Sequence, residues 1–81
     1  MTVRIGKRLW KMNRREYKGL LKTAKEQVPL GIYAVEKNSY AELCNIRCEN
    51  RKHLNQLAGQ YRAAGFRVLS NQGDGAYGQS V

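Results

Sequence analysis

Hydrophobic and polar residues alternate loosely over residues 3–12. Val3, Ile5 and Leu9 fall on one side and Arg4, Arg8 and Trp10 on the other, which predicts a first strand. Asn13 follows with Glu16 three residues later, the pattern of a capping box that starts a helix. Tyr17, Leu20, Leu21, Ala24 and Val28 then recur at helical spacing, and Pro29 stops the run. Two apolar stretches, residues 30–36 and 40–48, are separated by Lys37, Asn38 and Ser39 and read as a hairpin. Asn50 resembles a second N-cap. Leu54, Leu57, Ala58 and Tyr61 make the next helical stripe, with Gly65 in the place of a helix C′ residue. Residues 66–69 form a short final strand.

The predicted order is therefore β-α-β-β-α-β, an α+β chain of the ferredoxin-like (split βαβ) kind, with both helices on one face of the sheet in a two-layer sandwich. The halves echo one another. Asn13-Arg14-Arg15 is matched by Asn50-Arg51-Lys52 at a shift of 37 residues, and the two apolar stripes align at the same shift. Residues 1–70 are expected to form the domain. Residues 71–81, rich in Gly, Gln and Ser, are expected to be a flexible tail.

Composition narrows the class. Fifteen Lys and Arg against six Asp and Glu give 81 residues a net charge of +9. One core fits in this length, and 42% hydrophobic residues with a single Pro can fill it, which excludes a disordered chain. The charge excludes a nucleic-acid mimic and favours an anionic partner: nucleic acid first, then an acidic protein surface, then anionic lipid. It is also unevenly placed. The first 26 residues hold nine basic and two acidic residues, a balance of +7.

Other chemistries find little material. The densely charged first residues lack the apolar segment of a signal peptide, and the longest uncharged stretch, residues 27–35, is far short of a membrane span. A cytoplasmic protein without membrane attachment is expected, its Cys44 and Cys48 reduced. On one strand these cysteines would stand about 13 Å apart, too far for a disulfide. Cys44, Cys48 and His53 supply three zinc ligands where a structural site needs four, so small buried side chains are the simpler reading and no metal is expected. One His, six scattered acids and no Gly-rich phosphate loop assemble no catalytic group. No enzyme and no cofactor are expected.

The candidate surface is the basic sector of the first helix. Arg14, Arg15, Lys18, Lys22 and Lys25 lie beside its apolar stripe with hardly any acid among them, so intrahelical ion pairing does not explain them. Both helices open with two cations, Arg14-Arg15 and Arg51-Lys52, against the helix dipole. If the first and third strands were parallel neighbours, each followed directly by its helix, these two starts would share one pole and form a phosphate site, with His53 as a further donor. Long cationic side chains reaching into water are the plainer explanation. Trp10, taken to share a strand face with Arg4 and Arg8, is the leading aromatic for stacking a base. Tyr33, Tyr40 and Tyr77 come next, although a Trp there serves as readily to cap a core edge. The stretch 40–48 lacks the aromatic signature of an RNA-recognition motif.

Residues 12–17 through 40–43 resemble small uncharacterised proteins from phages and mobile elements of Firmicutes. That resemblance implies a host-takeover or anti-CRISPR type of factor, or an accessory DNA-binding protein. Residues 63–68, Ala-Ala-Gly-Phe-Arg-Val, resemble peptidoglycan-binding SPOR domains, whose extracytoplasmic work does not fit the expected compartment. Three roles follow. The chain is a nucleic-acid-binding module (DNA or RNA), an inhibitor or adaptor of a nucleic-acid-processing protein, or a ribonucleoprotein component. A homodimer through the open sheet face or edge is compatible with each.

Overall fold

A computed structural model describes residues 1–73. Seven elements follow in order: β1 (Thr2–Ile5), β2 (Arg8–Lys11), α1 (Arg14–Gln27), β3 (Leu30–Lys37), β4 (Tyr40–Arg47), α2 (Arg51–Ala63) and β5 (Arg67–Gln72). The chain is α+β, as expected, with one five-stranded mixed sheet in the order β2-β1-β4-β3-β5. β1 and β4 are parallel; every other neighbouring pair is antiparallel.

The expected first strand is a hairpin. Gly6, at φ 63°, and Lys7 form a two-residue turn that pairs Ile5 with Arg8 and Val3 with Trp10. A glycine tolerates this left-handed conformation at no steric cost. The turn also inverts the alternation. Arg8 and Trp10 join Val3 and Ile5 on one face, while Leu9 joins Arg4 on the other. Trp10 therefore shares a face with Arg8 and not with Arg4.

The ferredoxin-like order is not found either. β2 occupies the free edge of β1, where the last strand of that fold would pair, and β5 pairs with the far side of β3. The consequence is geometric. The crossovers β2-α1-β3 and β4-α2-β5 travel in the same direction across the sheet, but their strands point opposite ways. Right-handed connections then require the two helices to lie on opposite faces. The cores agree. On one face Val3 and Ala41 pack with Tyr17 of α1, joined by Ile5, Leu21 and Leu43. On the other, Ile32 and Val35 pack with Leu54 and Ala58 of α2, joined by Ile46 and Val68. The two-layer sandwich is thus replaced by a sheet covered by one helix on each side.

The helix ends follow the sequence closely. The Asn13 side chain accepts from the Glu16 amide at 2.9 Å, and the Glu16 carboxylate accepts from the Asn13 amide at 3.1 Å, a complete capping box. The Asn50 side chain accepts from the His53 amide at 2.8 Å. α2 ends in a Schellman arrangement: the Phe66 amide donates to the Tyr61 carbonyl and the Gly65 amide to that of Arg62. Its accompanying apolar contact is the edge-to-face pair of Tyr61 and Phe66, 6.1 Å between centroids. β5 continues through Gln72, two residues into the segment expected to be tail, and residues 74–81, with Tyr77, lie outside the described residues.

A β-bulge interrupts the sheet between Ile32 and Ala34, opposite Asn45 at φ 51°. It shifts the phase of β3, so that Ile32 and Val35, three residues apart, both reach the α2 core, while Tyr33 joins the α1 side. Just before it the backbones of β3 and β4 come close at Gly31, φ 150°, where a Cβ would lie 1.9 Å from the Ile46 carbonyl oxygen. Gly31→Ala is expected to cost on the order of 3 kcal/mol and to lower Tm by roughly 10 °C or more. Thermal unfolding followed by circular dichroism measures it, and an unchanged Tm would show that the strands separate here at little cost.

Candidate functional site

α1 lies with Tyr17 and Val28 buried and Leu20, Leu21 and Ala24 half-buried beneath it. At about 100° per residue, Arg14, Lys25, Lys18, Lys22 and Arg15 occupy a sector of about 100° on one flank of that stripe. All five are exposed, and none forms an ion pair among the described residues. The opposite flank carries Glu16, Thr23 and Gln27. Glu16, bound into the capping box, offsets the cost of two arginines in the first turn.

The basic flank faces β5. Arg14 and Lys18 line one wall of a groove of about 310 Å³, Arg67 and Leu69 of β5 form the other, and Tyr33 and Glu36 of β3 line it between them. Arg67 is exposed and likewise unpaired among the described residues. The groove exists because α2 lies on the other face, which leaves this side of β5 open. At the end of α1 the Asn71 side chain donates to the carbonyls of Lys25, at 2.9 Å, and Val28, at 2.8 Å. One β5 side chain thereby satisfies two carbonyls at the helix C-terminus.

Within the groove the Tyr17 hydroxyl donates to Glu36 Oε2 at 2.5 Å. Burial raises the Tyr17 pKa far above its ordinary value, and the carboxylate it bonds pushes it further in the same direction. Glu36 lines the groove, and its Oε1 has no partner among the described residues and is not fully buried.

The remaining expected site residues are dispersed. The two helix starts do not share a pole. β2 runs back against β1 before α1 begins, so α1 starts beside the β3–β4 turn, whereas α2 starts at the opposite end of the sheet. One amide at each start, that of Glu16 and that of His53, is already engaged by the Asn13 and Asn50 side chains. Instead, the start of α2 approaches the end of α1 by way of β5: Arg51 Nε donates to the Gln72 carbonyl at 3.2 Å, next to Asn71. Lys52 is exposed beside it. Arg4 is on the α2 face, paired with Glu42 at 3.1 Å, and Glu42 also accepts from the Tyr40 hydroxyl at 2.7 Å. Arg8 and Trp10 stand on β2, at the other edge of the sheet from the groove. The Arg8 guanidinium is 6.0 Å from the Trp10 ring centroid. Trp10 is 46% exposed and Leu9 65%.

Arg67 and Glu36 were not among the expected site residues, and Tyr33 was expected only as a further stacking aromatic after Trp10. The first is a lone cation in a short strand. The other two reach the groove only through the bulge and through the pairing of β5 with β3.

The cysteines show no sign of activation. Burial raises the pKa of Cys44, which packs against the α2 core, and of Cys48. His53 is exposed in the first turn of α2. Among the described residues no group of three His, Cys, Asp or Glu side chains could hold a metal ion, and no helix is long and apolar enough to cross a membrane. No protein-family model, curated protein or solved structure matches the chain.

The Tyr17–Glu36 bond joins α1 to the sheet and carries a pH signature. The folded-state pKa of Tyr17 lies above the unfolded value of about 10, so its contribution to stability is complete below pH 10 and declines as pH rises beyond it. Urea unfolding from pH 8 to 11 is expected to show a loss of stability that Tyr17→Phe lessens. Equal losses in the two proteins would mean that this hydroxyl does not bear on the alkaline limit.

Proposed function

We propose that the protein is a non-catalytic nucleic-acid-binding module that contacts phosphates through the basic flank of α1. The observation that carries this reading is the row Arg14, Lys18, Lys22 and Lys25, about 16 Å long at 1.5 Å per residue, whose first two members face Arg67 across the groove and none of which has an ion-pair partner among the described residues. Arg14 with Lys18 and Lys18 with Lys22 are like-charge pairs four residues apart, an arrangement that weakens a helix and is not explained by helix stability. Phosphate contact supplies the counter-charge and releases condensed cations, which gives affinity without base recognition. Arg15 extends the row at the start of α1, and Lys52 and Arg51 extend it beyond its end. A cytoplasmic setting and a single binding surface of this kind suit a small accessory DNA- or RNA-binding factor.

A second reading is favoured by β2. It is an edge strand whose four residues are all exposed, including Leu9 and Trp10, with Arg8 and Lys11 beside them. Such an edge can add a strand from a partner. On this reading the protein is a phage or mobile-element inhibitor, of anti-CRISPR type, that holds a nucleic-acid-processing host protein.

Fluorescence anisotropy with labelled DNA and RNA over 50–300 mM salt separates the two. The quadruple reversal of Arg14, Lys18, Lys22 and Lys25 to Glu is expected to weaken binding about 100-fold or more with the circular dichroism spectrum retained. The wild-type slope of log K against log salt should be near −3. Wild-type affinity that is unaffected by the reversal overturns the phosphate role of α1. Absence of nucleic-acid binding together with a stoichiometric complex with a nuclease supports the inhibitor.

A further inference from the structure

We infer that the groove between α1 and β5 holds one base of a single-stranded nucleic acid and prefers bases that carry an exocyclic amine. The inference rests on the nucleic-acid reading above and adds to it what the groove would recognise. Three features converge. The first is an aromatic ring: the bulge places Tyr33 on the α1 side, where it lines the groove together with the aliphatic Leu21 and Leu69. An apolar and aromatic lining suits the flat face of a base, and every base offers one. The second is cationic. Arg14 and Lys18 on one wall and Arg67 on the other flank that surface, so a backbone running along either rim meets positive charge.

The third feature is an acid where a pure phosphate site would exclude one. Glu36 lines the same groove, and its Oε2 is fixed by the Tyr17 hydroxyl. Oε1 is left without a partner among the described residues, a free acceptor on a half-buried side chain. A carboxylate oxygen accepts an N–H and repels a carbonyl. Adenine, cytosine and guanine present amino donors on their pairing edge, whereas thymine and uracil present only the ring N3–H there, flanked by two carbonyls that the carboxylate repels. A duplex satisfies neither requirement, because its base faces are stacked and its amines are paired. The ligand is therefore a single strand, with A, C or G in the groove in preference to T or U.

Anisotropy titrations with labelled oligo-dA, oligo-dC and oligo-dT and with a duplex, at one salt concentration, test this. Wild-type protein is expected to bind oligo-dA and oligo-dC about five- to tenfold more tightly than oligo-dT, and each single strand more tightly than the duplex. Tyr33→Ala should lose about tenfold in single-strand affinity, whereas Tyr33→Phe should keep it. Glu36→Gln retains an oxygen for Tyr17 but offers an amide N–H₂, and it should erase or reverse the preference over oligo-dT. If Glu36→Gln unfolds, the Tyr33 pair and the wild-type preference still decide. Equal affinity for all three oligomers, or unchanged binding by Tyr33→Ala, overturns the inference. If the quadruple Glu variant loses binding at the same time, the phosphate role of α1 survives. Binding that is indifferent to that variant as well overturns both.

Discussion

The pairing of β2 with β1 determines the rest of the molecule. It fills the sheet edge to which a returning last strand would otherwise be drawn, and it reverses the chain before the first helix begins. With that edge taken, β5 closes on β3, and the preference for right-handed crossovers places α1 and α2 on opposite faces. Each helix then covers only part of its side of a five-stranded sheet. The uncovered strip beside α1, floored by β3 and β5, is the groove. A four-residue strand with no buried side chain of its own thereby decides where the surface available to a ligand lies.

α1 tolerates its charge because its stability is secured elsewhere. The capping box, the buried Tyr17 and Val28, the hydroxyl bond to Glu36 and the Asn71 side chain at its C-terminus all act on the core side or at the ends. None needs a particular residue on the outer flank. Five like charges there cost some repulsion, screened by salt, and leave the flank free to be uniformly basic.

Local signals were read well from the chain. Asn13 with Glu16, Asn50, Pro29 and Gly65 mark their helix ends because capping depends on residues a few positions apart. The β3–β4 hairpin was legible for the same reason. The β1–β2 turn was not: a two-residue turn between short strands leaves an alternating pattern that also reads as one longer strand, and only Gly6 distinguishes them. The choice of partner for β5 depends on an edge filled by β2, more than 50 residues earlier, which no window along the chain contains. The basic flank of α1 was visible as periodicity. Tyr33, Glu36 and Arg67 were not visible as a group, because a bulge and a strand pairing bring them together. The pole expected to join Arg14-Arg15 with Arg51-Lys52 failed although β1 and β4 are the parallel neighbours it required, because β2 carries the chain back to the other end of the sheet before α1 begins.

The bonds from Asn71 to the carbonyls of Lys25 and Val28 tie the last strand to the first helix across more than 40 residues of chain. α1 cannot complete its C-terminus until β5 has docked, so it does not reach its final stability as an independent unit, and the groove exists only when the whole sheet is assembled. Any ligand that bridges Arg14 or Lys18 to Arg67 grips the same two elements. Occupancy therefore stabilises the native state as a whole and not a single segment: the binding free energy enters the global unfolding equilibrium, and the ligand joins the folding cooperative unit.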